Sequence, residues 1–301
     1  MKIAVVPPAC GILIVLSSME VTRMTAYDLM IKTNHHLLRG GELTDVQKSR
    51  IVKEFLAARS DGRTRAQFYN GVKYPGNTDA SGGRMYPDFF IPPYGDGKKY
   101  QTVIPMSPQT HILSANAYEL EILRLLHLFS PNHPAVQEMV RKTLARLKTT
   151  CYGYHDCAVG ECFHSSLIAL RFLAAVSDDR VWMRKLAAHF RNHFGDKKRH
   201  SGVLWYYWLC LLELPMEIAG PEILRHEGDI LRQLGRGYIM NSEQEKALHP
   251  VLLCVIRDLM ARLPNYAHLK DCQPYVSEKD GRLRFPLDCE VPLLCESRAL
   301  A

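Results

Sequence analysis

The chain alternates two kinds of helical segment, and this alternation constrains its fold more than any other feature of the sequence. Four segments are apolar on almost every side: 117–128, 162–176, 203–214 and 250–263. Charge on one face marks the three segments between them, 135–148, 179–193 and 222–236. A helix that is apolar all round is buried, whereas an amphipathic helix lies at the surface. The alternation therefore predicts an inner layer of helices inside an outer layer.

Local signals predict a first helical hairpin ahead of this array. A cap at Thr25 opens a helix over 25–38, and the pair Gly40-Gly41 ends it. Thr44 with Gln47 forms a capping box, which opens a second helix that runs to about residue 58.

Further signals place the later elements. Ser114 is the predicted cap of a helix over 115–129, and Pro221 is the predicted start of another that ends near residue 234. A capping box at Ser242 precedes the helix predicted over 250–263. The Asp-Gly pair at 280–281, between short alternating runs, predicts a β-hairpin.

These elements predict an all-α fold, an α/α-toroid or a curved array of helical hairpins, with a long irregular loop over 60–110 and a small C-terminal β-hairpin. The arrangement resembles, over residues 25–263, the α/α-toroid architecture of polysaccharide lyases, hairpin-built glycosidases, terpenoid cyclases and protein prenyltransferases. The catalytic motifs of those families are not found, so no functional residue carries over. We expect one domain over 24–270, followed by a hairpin and tail over 271–301.

The N-terminus and the cysteines bear on location. Residues 3–18 are apolar, but Pro7-Pro8 interrupts a run already shorter than the ~20 residues of a membrane span. We favour a natural start at Met19 or Met24, so that 1–23 is a non-native or targeting extension, over a signal peptide or a membrane anchor. Nine cysteines, several of them inside apolar helical runs, favour free thiols and a cytoplasmic location. Secretion through an N-terminal signal is the alternative.

The charge of the chain limits its partners. The formal net charge is +7, from 38 basic and 31 acidic residues. This mild excess suits a polar or anionic small molecule or an oligosaccharide, and it lacks the dense basic stripe of a nucleic-acid binder. We expect no nucleic-acid and no membrane partner. Phosphate-binding loops, dinucleotide fingerprints and the common hydrolase motifs are not found in the sequence.

The densest group of reactive side chains lies between residues 151 and 164. Soft sulfur and nitrogen ligands at close spacing are what a zinc ion needs. The predicted zinc ligands are His155, Cys157, Cys162 and His164. Two alternatives stay open: a catalytic thiolate at Cys157 or Cys162, whose pKa a helix N-terminus would lower, and thiols that only pack in a glycine-containing turn.

A second candidate site rests on histidines near the starts of the inner helices. Parallel inner helices would gather these histidines and their free backbone N–H groups at one mouth, which would attract anions. The four histidines are His111, His164, His200 and His249. Four such coincidences among 13 histidines also arise by chance.

By analogy with toroid enzymes, proton abstraction from a uronic acid would use a polar pair in the first helix and a tyrosine acid. The predicted pair is Asn34 with His35 or, in its place, His36. The predicted acid is Tyr152 or Tyr154. Adjacent histidines on a helix point about 100° apart, so only one of the two would face a cavity.

The long loop completes the sequence prediction. Its segment 74–100 is rich in aromatic residues and glycines and carries Arg84, Lys98 and Lys99, so it suits a lid over an anionic substrate. The same aromatics would otherwise fasten the loop to the helices. We therefore predict a carbohydrate-active lyase or hydrolase. The alternative is a non-catalytic helical scaffold that binds a protein or peptide.

Overall fold

The computed structural model describes residues 24–60, 87–89, 91, 94–95, 98–104, 106, 111–155, 157, 159–194 and 201–286. Within these residues the all-α prediction is confirmed. The α-helices are α1 Ala26–Leu38, α2 Asp45–Ala57, α3 His111–Phe129, α4 Pro134–Lys148, α5 Cys151–Tyr154, α6 Glu161–Val176, α7 Arg180–Phe194, α8 Ser201–Glu213, α9 Met216–Gly235 and α10 Glu243–Met260. A 3-10 helix, Pro264–Asp271, follows. Two antiparallel strand pairs complete the described structure: β1 Tyr94–Gly95 with β2 Lys98–Lys99, and β3 Tyr275–Val276 with β4 Leu283–Arg284.

The chain forms two compact units. The described part of the larger unit lies within residues 25–34 and 43–218, and that of the smaller unit comprises residue 24, 35–42 and 219–286. The prediction of a single domain over 24–270 stays a prediction, as does closure of the helices into a toroid.

Three apolar helices of the larger unit run parallel to one another. Near the start of α3, the backbone N–H of Leu113 donates to Glu161 at the start of α6, and farther along both helices Arg171 donates to Glu121. In the same way Cys210 of α8 donates to the Leu167 carbonyl, and Arg171 donates to Glu213 one turn later. In each pair the contacting positions move toward the C-termini of both helices together, so the two helices run in the same direction. The N-termini of α3, α6 and α8 therefore lie at the same end.

The amphipathic helices of the larger unit run in the opposite direction. Arg146, near the end of α4, contacts Asn116 and Glu119 near the start of α3. Phe190, late in α7, stacks on Phe163 early in α6, with 5.5 Å between the ring centroids. Apolar and amphipathic helices thus alternate in direction along α3, α4, α6, α7 and α8, whereas their arrangement as an inner and an outer layer stays a prediction.

The predicted start of α3 is wrong, because the helix begins at His111 and Ser114 lies inside it. The cap comes from another helix: the Glu161 carboxylate accepts the Leu113 N–H at 3.2 Å. A carboxylate is stabilising at a helix N-terminus, and this one lies 48 residues away in sequence. The sequence pattern around the start of α3 therefore does not reveal this cap.

Two predicted proline starts are also wrong. Helix α9 begins at Met216 with Pro221 inside it, and α10 begins at Glu243 with Pro250 inside it. A proline inside a helix removes one hydrogen bond. The capping box at Ser242 and Glu245 is present, and it opens α10 directly. Packing supports the first turn of α9, where Ile218 and Ala219 are buried.

The C-terminal hairpin is confirmed within the smaller unit. Tyr275 pairs with Arg284, and Gly281 takes a φ of 67° in the turn, a conformation that favours glycine. The first hairpin also has its predicted signals. Gly40, at a φ of 78°, ends α1, and the capping box at Thr44 and Gln47 opens α2.

Most of the predicted loop over 60–110, and the whole of 1–23, lie outside the described residues. The described parts of the loop support the packing interpretation at several points. Phe89, Val103 and Ile104 are buried, and Tyr100 stacks on Tyr27 of α1 with 3.9 Å between ring centroids. The predicted lid residue Arg84 and the side chains of Lys98 and Lys99 are not described, so the lid stays a prediction.

Candidate metal centre

Three cysteine thiols converge where α5 leads into α6. The sulfur atoms of Cys151, Cys157 and Cys162 lie within 4.8 Å of one another, and the Sγ atoms of Cys151 and Cys162 are 3.6 Å apart. All three thiols are free. Cys151 is exposed, Cys157 is half-buried and Cys162 is buried, so the cluster spans from solvent to the interior.

The turn that carries Cys151 is held by hydrogen bonds from both sides. Thr150 Oγ1 accepts the Gly153 N–H at 3.1 Å and donates to the Leu147 carbonyl at 2.9 Å. The indole N–H of Trp182 donates to the Gly153 carbonyl at 2.6 Å. This short helix is therefore fixed against both α4 and α7, which sets the position of the Cys151 thiol.

Backbone contacts bring the other two thiols to Cys151. The Cys157 N–H donates to the Cys151 carbonyl at 3.4 Å, which folds the chain back after α5. Gly160 then opens α6 with a φ of 52°, and the Cys162 N–H donates to the Val159 carbonyl at 3.1 Å. Cys162 thus lies in the first turn of α6.

The three thiols differ in acidity. The backbone N–H of Val159 lowers the pKa of Cys157, and the other two thiols add to this effect. Burial, together with contacts with the other two thiols, raises the pKa of Cys162 to about 12. The predicted low-pKa thiolate is therefore wrong for Cys162, because desolvation of the charged form dominates there. At Cys157 the prediction agrees with the structure, because the pKa of that thiol is lowered.

The cluster fits a zinc ion by its donors and spacing. Zn–S bonds of about 2.3 Å at tetrahedral angles place two sulfurs about 3.8 Å apart. The Cys151–Cys162 distance of 3.6 Å is close to this value. Three protein ligands leave one coordination position for water or substrate, as in catalytic zinc sites.

The predicted zinc ligands are brought together only in part. Cys157 and Cys162 belong to the cluster, and Cys151 joins them. Among the described residues the histidines are not members of it. His155 follows α5, exposed, with its ring 5.5 Å from that of Tyr154. His164 lies half-buried on α6, with its ring 6.4 Å from that of Phe163.

The predicted catalytic residue Asn34 lies in a different, buried network of the larger unit. Its Oδ1 accepts from Arg171 at 3.2 Å and from Arg124 at 3.4 Å, and its Nδ2 donates to the Met30 carbonyl. Arg171, with 1% of its side chain exposed, also bonds both Glu121 and Glu213. Asn34 is thus held inside an ion network.

Electrostatics in this network favour the charged forms of Arg171 and Glu213. Burial lowers the pKa of Arg171, but the carboxylates of Glu121 and Glu213 outweigh it and the pKa is raised. Burial raises the pKa of Glu213, but Arg124 and Arg171 outweigh it and the pKa is lowered. Two guanidinium groups, of Arg124 and Arg171, thus pair with the two carboxylates of Glu121 and Glu213 among α3, α6 and α8.

The predicted tyrosine acids differ in access. Tyr152 is buried, and its hydroxyl donates to Asn116 Oδ1 at 2.6 Å. Tyr154 is 41% exposed, and its ring lies under the Lys185 ammonium at 4.4 Å from the ring centroid. Tyr154 is the one of the two that a substrate in solution can contact.

The predicted group of histidines at the helix N-termini is described only in part. His200 and the side chain of His111 lie outside the described residues. His249 lies inside α10 rather than at its start, because the helix begins at Glu243. It belongs to the smaller unit with His35, and its ring lies 5.0 Å from that of Tyr238. His36, in the same unit, contacts the Glu42 carbonyl through Nε2 at 3.0 Å.

Sequence reasoning missed the third thiol and the ion network. Cys151 lies in the same short segment as the predicted ligands, but it does not form a close cysteine–histidine pair as they do. The signal for Arg124, Arg171 and Glu121 was charge inside helices that are otherwise apolar. A buried charge must be paired, so such residues indicate contacts with one another.

The other cysteines that the structure describes bear on location. Cys210 and Cys254 are free and buried, whereas Cys272 is disulfide-bonded. The disulfide weakens the argument for a reducing compartment, and the cytoplasmic location stays a prediction. Across the described ranges no helix combines the length and apolarity needed to cross a membrane.

Comparison with known proteins gives no match to the chain among family models, curated proteins or solved structures.

Proposed function

We propose that this protein is a zinc-binding helical protein in which Cys151, Cys157 and Cys162 hold the ion through their sulfurs. The observation that carries the proposal is the convergence of three free thiols within 4.8 Å. Thiolate ligands select zinc and other soft ions over magnesium or calcium. The fourth position would take water or a substrate atom.

We further propose that the centre acts on a polar, anionic substrate, such as an acidic oligosaccharide, as a hydrolase or lyase. Two lysines near the Cys151–Tyr154 turn support an anionic substrate. Lys185 donates to the Tyr154 carbonyl at 2.5 Å, and Lys148 lies 5.5 Å from the ring centroid of Trp182, which itself bonds Gly153. Zinc would polarise the substrate or activate a water.

Cobalt substitution tests the metal site. Co²⁺ added to metal-free protein should give intense sulfur-to-metal charge-transfer absorption with an endpoint near one equivalent. Cys157→Ala should abolish that absorption, whereas Cys254→Ala, which removes a buried thiol of α10, should leave it unchanged. Absence of the absorption in the wild-type protein, with its fold intact by circular dichroism, would contradict the proposal.

Turnover tests the reaction. The zinc-loaded protein should cleave members of a panel of acidic oligosaccharides, detected as new reducing ends or as the ultraviolet absorbance of an unsaturated product. Lys185→Met should raise KM more than it lowers kcat. A metal-loaded protein without turnover would instead support a structural zinc ion in the binding scaffold of the alternative prediction.

A further inference from the structure

We propose that the three-cysteine cluster is a peroxide-sensitive switch, in which oxidation joins Cys151 to Cys162 and releases the metal. The disulfide step rests on the thiol geometry alone. The release step rests on the proposed zinc centre.

The geometry of the two sulfurs favours this pair. A disulfide has an S–S length of about 2.05 Å, and the two Sγ atoms already lie 3.6 Å apart. Closing the bond needs the two Sγ atoms to approach by about 1.5 Å, which rotation about the Cα–Cβ bonds of the two cysteines can supply while the helix backbone stays in place. The two cysteines lie 11 residues apart, so the closed loop is short.

Exposure divides the roles between the two thiols. Cys151 is exposed and is the thiol that an oxidant in solution reaches first, whereas Cys162 is buried directly beside it. Outside the cluster, the free thiols among the described residues, Cys210 and Cys254, are buried in α8 and α10. Accessible thiols with a second thiol in contact are those that form disulfides.

The chemistry balances with a hydroperoxide as oxidant. The Cys151 sulfur attacks the peroxide oxygen, the O–O bond breaks, an alcohol or water leaves, and a sulfenic acid forms on Cys151. The Cys162 sulfur then attacks the Cys151 sulfur, and the sulfenic hydroxyl leaves as water. The two thiols lose two electrons and the peroxide gains them.

Oxidation removes two of the three sulfur ligands. Cys157 alone does not hold a zinc ion, which takes four ligands in a structural site or three protein ligands in a catalytic one. A thiol reductant restores both cysteines by thiol–disulfide exchange, because Cys151 remains at the surface.

Hydrogen peroxide tests the proposal on the full-length protein. Treatment of the zinc-loaded protein should release about one zinc per disulfide formed, measured with a chromophoric chelator, and dithiothreitol with added zinc should restore the metal. Alkylation of the free thiols, digestion with chymotrypsin and Glu-C, which cut after Tyr152, Tyr154 and Glu161, and mass spectrometry should identify the Cys151–Cys162 disulfide. Cys151→Ala should abolish this disulfide, and Cys254→Ala should leave its yield unchanged.

A metal-free arm separates the switch from the proposed zinc centre. Cys157→Ala and the metal-free wild type should both form the Cys151–Cys162 disulfide. If that disulfide forms in a protein that never takes up zinc, the zinc centre fails and the thiol step stands. A wild-type product that is sulfinic acid, that pairs Cys157, or that keeps its zinc after the disulfide forms would overturn the switch.

Discussion

Removing the guanidinium of Arg171 should strongly destabilise the larger unit. Arg171 donates to Glu121 at 2.6 and 2.7 Å, to Glu213 at 2.9 and 3.2 Å, and to Asn34 at 3.2 Å. Glu121 is 2% exposed. In Arg171→Met its carboxylate keeps the Tyr206 hydroxyl as its hydrogen-bond donor among the described residues.

The magnitude follows from the cost of an unpaired buried charge. Breaking a buried ion pair by removing one partner costs about 3–5 kcal/mol. At about 2–4 °C per kcal/mol for a unit of this size, the thermal midpoint should fall by roughly 6–20 °C. The assay is thermal and urea unfolding followed by circular dichroism, with tyrosine and tryptophan fluorescence as a second probe.

Two further variants make this test specific. Arg171→Met/Glu121→Met removes both charges, so it should recover much of the lost stability, because apolar replacement of a buried pair is often neutral. Arg141→Met removes one partner of an exposed pair with Glu138, whose side chains are 68% and 44% exposed, and should give no resolvable change. An unchanged midpoint in Arg171→Met, or a double variant that loses the sum of both single effects, would refute the reasoning.

Three further predictions follow from named contacts. The pKa of Glu213 is lowered below 4.5, so its stabilising contribution is present above that pH and lost as the pH falls through the lowered value; Glu213→Gln should remove this part of the acid dependence of the unfolding midpoint. Gly153→Ala should lower both the midpoint and the cobalt-binding endpoint, because an added Cβ would overlap the Leu147 carbonyl oxygen. Tyr152→Phe should cost about 0.5–1.5 kcal/mol in urea unfolding, because it removes one hydrogen bond to the buried Asn116, whose Oδ1 keeps Arg146 as a donor, and an unchanged midpoint would contradict this.

Helix type and order could be predicted from the sequence because periodicity and caps are local. The capping box at Thr44 and the Asp-Gly turn before β4 both hold in the structure. The starts of α3 and α9 could not be predicted, because they depend on tertiary contacts, whereas the capping box at Ser242 marked the true start of α10 and the proline at 250 was wrongly taken as that start. Glu161 caps α3 from another helix, and α9 and α10 both continue through a proline.

The candidate site was predictable as a segment but not as a ligand set. Close spacing identified Cys157 and Cys162. The return of the chain after α5, through the Cys157 N–H bond to the Cys151 carbonyl, brings in the third sulfur. Familiar pairing of cysteine with histidine favoured His155 and His164, but sequence proximity does not fix where a side chain points. Asn34 was singled out for chemistry, yet its place beside Arg171 depends on contacts between distant helices.

The most direct test of the three-sulfur metal centre is zinc K-edge X-ray absorption on the reconstituted full-length protein. It should show three sulfur ligands at about 2.3 Å and one lighter ligand, and Cys157→Ala taken through the same reconstitution should retain no zinc. A spectrum of nitrogen and oxygen ligands only, or a protein that retains no zinc after reconstitution while its helices stay folded, would contradict the proposed centre.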